Sequence, residues 1–311
     1  MQIVKRRIQR EIDRLWSETA ARIDLVVPSG HRFTDTIDDA ESDSVAQAHS
    51  SLEPFLSILE QGIQWLACLH GSMDIAAEAE RIPNSDRAPI AFIGAASAYA
   101  AAVRRLVLSG LDSPARAVAR SLAESLHFAI ASLHSQEIRQ GIRAPQSLEE
   151  ANAYWYSHLR GHRIDRILVA VEGSIGLDAE TKLELRRTRE AEAQWLGFFV
   201  HPSYLAAELT CKPRSAAKPG MHKVGIIGHC SIDSVHTLDA ANKLIWYFAR
   251  IGHVLIFRPP PFFQIDPDSE MDRMAVMGRE VFSKLVINHW EEHERIGGEP
   301  DEPPSNNAPN P

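Results

Sequence analysis

One stretch of the chain gathers most of the side chains that could do chemistry. Between Ser113 and Arg139, the residues Arg116, Arg120, Glu124, His127 and His134 fall within roughly a quarter of a helical wheel at 100° per residue. Most of the rest of that wheel is apolar, through Val118, Leu122, Leu126, Ile130 and Leu133. Such a stripe has two readings. On a surface helix it is a solvated face, and Arg120 with Glu124 is an ordinary i,i+4 pair worth a few tenths of a kcal/mol. On an enclosed helix it faces a polar cavity, and Glu124 must hold Arg120, because a buried guanidinium without a partner is too costly. The second reading makes Arg116 and Glu124 cavity residues. It leaves Arg120 and His127, two turns apart on one face, as candidate catalytic groups. An imidazole that titrates near neutrality supplies acid–base chemistry, and a fixed guanidinium stabilises developing negative charge.

Arg120 and His127 have the spacing Arg-x6-His. In this they resemble the HEPN ribonucleases, helical bundles marked by Arg-x4-6-His that act as dimers without a metal. The resemblance implies RNA as a partner, His127 acting on the 2′-hydroxyl or leaving group, and Arg120 on the phosphate. Where HEPN members favour a polar, often amide-bearing, residue directly after the arginine, this chain has Ser121.

A second cluster, Trp195 to Tyr204, reads WLGFFVHPSY. Its His-Pro follows an aromatic run and ends a helix, so His201 either caps that terminus or turns toward the polar cavity. The stretch LVLSGLDSPARAVARSLAES, followed some eighty residues later by FFVHPSY, resembles a bacterial all-helical family of unknown function. Its members carry an Arg-x-x-x-Glu helix after a short glycine-containing turn and a His-Pro-Ser segment downstream. The matching positions are Arg120, Glu124, His201 and Ser203, within Ile90 to Leu209. The resemblance implies a fold in which the Arg-Glu helix meets the His-Pro-Ser segment, and it implies no activity.

Metal chemistry has little footing. Glu124 and His127 form a Glu-x-x-His unit, but a di-iron bundle needs two such units and two further glutamates, and no second unit occurs. Cys211, His222, His229, Cys230 and His236 are zinc-ligand types at spacings that match no finger or ribbon. No metal or cofactor is therefore expected. The phosphate-binding glycine motifs and the Gly-x-Ser-x-Gly elbow are also absent.

The elements that must position these groups read as helices. Periodic apolar residues mark Gln2–Asp24, Ser44–Leu69, Ile90–Leu108, Ser113–Arg139, Leu148–Val171, Asp178–Phe199, Val235–Phe257 and Ser269–Glu294. The expected fold is an all-α bundle of about eight helices. Gly110 ends one helix, and Asp112 or Ser113 with Pro114 starts the next, so Ile90 to Gly141 is a helical hairpin at the centre. Residues 25–43 and 71–87 read as loops. The organisation expected is an N-terminal helix and loop (1–43), a central bundle (44–209), an irregular segment with C-terminal helices packed on the bundle (210–296), and a disordered tail (297–311) that has almost nothing to bury.

The 311 residues carry a net charge of −8, which argues against nucleic-acid binding through bulk positive charge. Lys5, Arg6 and Arg7 with Arg10 and Arg14, like Arg186, Arg187 and Arg189, read as solvated helix faces. Three cysteines give no disulfide framework and fit a reducing cytosol. The N-terminal residues lack the apolar core of a secretory signal. The apolar runs Pro89–Val103 and Leu244–Phe257 fall short of a bilayer span. A soluble cytoplasmic protein without membrane partners is expected. Two functions fit: an interaction or scaffold module in a bacterial stress or defence setting, with a homo-oligomer as the expected assembly, or a HEPN-like ribonuclease.

Overall fold

A computed structural model describes residues 2–22, 33–200 and 232–289 of the chain. Every regular element among them is helical, and eleven are α-helices: α1 Gln2–Arg22, α2 Phe33–Ser51, α3 Glu53–Glu78, α4 Ala88–Leu108, α5 Asp112–His134, α6 Gln136–Arg143, α7 Leu148–Tyr154, α8 His162–Ser174, α9 Ala179–Val200, α10 Ile232–Phe257 and α11 Glu270–Asn288. The all-α expectation holds. The expected count of eight falls short by three, because three long stretches are each two helices.

Each split has a local cause. Pro54 lacks the N–H that a continuous helix would need, so it sits in the first turn of α3 and the chain restarts there after α2. Ser135 adopts an extended conformation and its hydroxyl accepts from the Ile138 amide, which ends α5 and caps α6. A π-turn at Trp155–Leu159, followed by Gly161 at φ +63°, separates α7 from α8. The loops expected at 25–43 and 71–87 also shrink, since α2 begins at Phe33 and α3 continues to Glu78. Gly141 does not stop its helix. It lies within α6, where a Cβ would collide with the Tyr154 hydroxyl, so glycine there permits a close approach.

The central hairpin forms as expected. Gly110, at φ +72°, makes the turn between α4 and α5. The α5 helix starts at Asp112, whose carboxylate meets Arg116 instead of capping the terminus. Around α5 lie α4, α8, α9 and α10, while α3 packs against α4, α10 and α11. Apolar side chains at helical spacing bury this arrangement: Leu122, Leu126 and Ile130 of α5, Ile93 and Val103 of α4, and Ile245 and Phe248 of α10. Trp65 of α3 stacks on Phe282 of α11 at 6.2 Å between ring centroids and tilts against Phe248 at 5.7 Å.

With 21 residues, α4 is the one helix among those described that is long and apolar enough to cross a membrane. It exceeds the Pro89–Val103 run because the helix extends through Arg104 and Arg105 to Leu108. Its fully buried Ile93, Ala96, Ala100 and Val103 belong to the core, and about a third of its apolar stretch is buried.

Candidate functional site

The polar stripe of α5 runs through two environments. At its start, Arg116 is only 2 % exposed. Its guanidinium lies 3.6 Å from Asp112 and 3.3 Å from Asp233. Nε donates to the Thr237 hydroxyl at 3.2 Å, and the indole of Trp195 lies 4.5 Å beneath it. This is a closed knot between α5, α9 and α10, in which two carboxylates and an aromatic face compensate one desolvated cation. Arg116 therefore belongs to this knot and does not share the cavity expected for it with Glu124.

One turn further on, the stripe opens to solvent. Arg120 donates to Glu124 at 3.0 Å and to the Ala193 carbonyl at 3.3 Å. The two side chains are 35 % and 41 % exposed, so the pair is a half-exposed i,i+4 bridge and not a buried one. Beyond it, His127 sinks inward. Its ring meets the Tyr247 ring edge-on at 6.1 Å, and Nε2 is buried without a hydrogen-bond partner. Burial above all, then the positive charges of Arg189 and Arg120, push its pKa down to about 3. Each of these causes disfavours imidazolium, so His127 is neutral at physiological pH. His134, in the last turn of α5, is exposed.

Arg120, Glu124 and His127 line a cleft of about 610 Å³ between α5, the π-turn, the start of α8, and α9. Trp155 and Phe128 contribute aromatic surface, and Arg160, Asp165 and Glu192 are its other charged residues besides Arg189. Burial first, and then the negative charge of Asp239, push Glu192 up to about 7, while Lys243 opposes the shift. A second, mostly apolar cavity of about 50 Å³ shares Arg189, Glu192 and Leu244 with the cleft. It has room for water but not for a ligand of ordinary size.

Sequence reasoning missed the most buried ionic group of the region. Arg189, read with Arg186 and Arg187 as a solvated face, points inward. It pairs with Glu172 of α8 in a contact 6 % and 1 % exposed on the two side chains. The Tyr247 hydroxyl donates to the same carboxylate at 2.8 Å and accepts from Arg189 at 3.2 Å. Burial pushes the Tyr247 phenol far up, so it stays protonated and donates. The signal was present: Leu185, Arg189, Glu192 and Leu196 recur at helical spacing, which puts Arg189 on the apolar face of α9.

His201 and Ser203 lie outside the described residues, as do Cys211, His222, His229 and Cys230. His236 packs its ring against Trp195 at 5.4 Å. Among the described residues no three His, Cys, Asp or Glu side chains are grouped to hold a metal ion. Compared with protein families, curated proteins and solved structures, the chain matches none.

Proposed function

We propose that the chain is a non-enzymatic interaction module that assembles through α1 with a second copy of itself, in the cytoplasmic stress or defence setting expected of it. The observation that supports this reading is the exposure of α1. Residues 10–19 are all exposed, including Ile12, Leu15 and Trp16, which share one face. Trp16 is 64 % exposed, and a contiguous aromatic and aliphatic stripe of this kind marks an interaction surface. Charge favours a like chain as occupant. The α1 sequence carries six basic against three acidic residues, a net +3. Setting that aside from the total of −8 leaves −11 on the rest of the chain. A second copy thus offers α1 an oppositely charged surface.

Light scattering on size-exclusion fractions tests the reading. The wild-type chain runs as a dimer or larger. The triple variant Ile12→Gln, Leu15→Gln, Trp16→Gln runs as a monomer with unchanged helical circular dichroism. A monomeric wild type, or an assembly that survives the triple substitution, refutes it.

The alternative, a metal-independent HEPN-like ribonuclease, draws on one observation: Arg120 and His127 line the same open cleft. The neutral state of His127 counts against it, because an imidazole with a pKa near 3 is a poor acid–base group at neutral pH. Incubation with RNA in EDTA decides between them. Cleavage that is lost in His127→Ala would establish the nuclease.

A further inference from the structure

The cleft beside α5 carries charges that its own partners do not fully use. Glu124 is held by Arg120, and Glu172 by Arg189. Arg120 and Arg189 nevertheless line the cleft together with Arg160, so three guanidinium groups border one space. On the opposite wall, Arg160 lies over the rings of Tyr156 and Trp155, at 4.9 and 5.8 Å from their centroids. Among the described residues, no carboxylate lies within ion-pair distance of it. Of the two carboxylates not bridged to an arginine within ion-pair distance, Asp165 sits at the exposed rim, 3.9 Å from His162 and near enough to Arg186 to interact with it. The other, Glu192, is held partly protonated near neutrality.

The remaining surface is apolar, with Phe128 and Trp155 facing the same space. A volume of about 610 Å³, mostly apolar walls and a few convergent polar groups is the usual form of a small-molecule site. His127 Nε2, buried without a partner, adds a polar group that nothing in the fold uses. Gly197 of α9 keeps the space open, since a Cβ there would meet nothing within 4 Å.

We propose that this cleft binds an organic anion, a carboxylate or phosphate carried on an apolar or aromatic body. The charged group sits against Arg160 and Arg120, and the body against Phe128 and Trp155. Both parts are required. The anion answers the arginines, and the body displaces water from the apolar walls.

Isothermal titration of the full chain tests this with four probes: phenyl phosphate, benzoate, inorganic phosphate and benzyl alcohol. At least one aryl anion binds tenfold or more tighter than inorganic phosphate and than benzyl alcohol. Whether phenyl phosphate or benzoate is the tighter identifies the charged group. Two substitutions then weaken that binding at least tenfold. Arg160→Gln removes the cation at an exposed position. Gly197→Leu fills the space with a strong helix former and leaves every charge in place. No heat with either aryl anion overturns the proposal. So does binding of both aryl anions no tighter than that of inorganic phosphate or benzyl alcohol, or aryl-anion binding that survives either substitution.

Discussion

The pairing of Glu172 with Arg189 should dominate the polar contribution to stability. The two side chains are 1 % and 6 % exposed, and Tyr247 donates to the same carboxylate. Removing one partner of such a pair strands a desolvated charge, at a cost of about 3–5 kcal/mol. Glu172→Gln keeps an amide oxygen to accept from Tyr247, so it belongs at about 3 kcal/mol. Glu172→Leu loses that acceptor as well and belongs at about 5 kcal/mol. In urea, with a slope of about 3 kcal/mol/M, Glu172→Gln lowers the unfolding midpoint by about 1 M at unchanged slope. The double variant Glu172→Leu, Arg189→Met recovers most of the loss, because apolar side chains of similar volume then fill the site without a stranded charge. A loss under about 1 kcal/mol for Glu172→Gln, or a double variant no better than Glu172→Leu, would refute the reasoning.

Other variants read the two environments of the α5 stripe and the titrating groups behind it. Glu124→Ala changes stability by less than about 0.5 kcal/mol in the same urea assay, since its bridge to Arg120 is half exposed and screened. His127 binds fewer protons folded, with a pKa of about 3, than unfolded, near 6.5. Its contribution to stability is therefore full above pH 6.5 and is lost as pH falls through 3. His127→Leu removes on the order of 5 kcal/mol of that acid dependence, seen in urea midpoints against pH. Glu192 has the opposite sign. Its folded pKa of about 7 exceeds the ordinary carboxyl value of 4.5, so stability falls as pH rises from 4.5 through 7. Glu192→Gln flattens that slope, by about 3 kcal/mol across the window.

Much of the fold is legible in residue spacing. Apolar periodicity marks the hairpin of α4 and α5, the glycine turn between them, and α10. It does not mark interruptions made by single residues. Ser135 and the π-turn at Trp155 leave the apolar spacing intact on either side, so each pair of helices reads as one. The site is legible only in part. A wheel groups Arg116, Arg120, Glu124 and His127, but it carries no depth. The burial of Arg116 comes from Asp233, Thr237 and Trp195 on distant elements. The helical spacing of Leu185, Arg189, Glu192 and Leu196 carries the inward turn of Arg189, but its neighbours Arg186 and Arg187 make the segment look like a surface run. Glu172 comes from another helix, and nothing in its own sequence context announces Arg189 as its partner.

The titration of His127 followed by NMR bears most directly on whether this chain is a binding module or an acid–base catalyst. Assigned through the signals missing in His127→Leu, its imidazole carbon-bound protons should keep the neutral shift from about pH 8 down to about pH 4, because burial and two nearby guanidinium groups exclude the added proton. A midpoint between about pH 6 and 7 would contradict this and return His127 to service as an acid–base group.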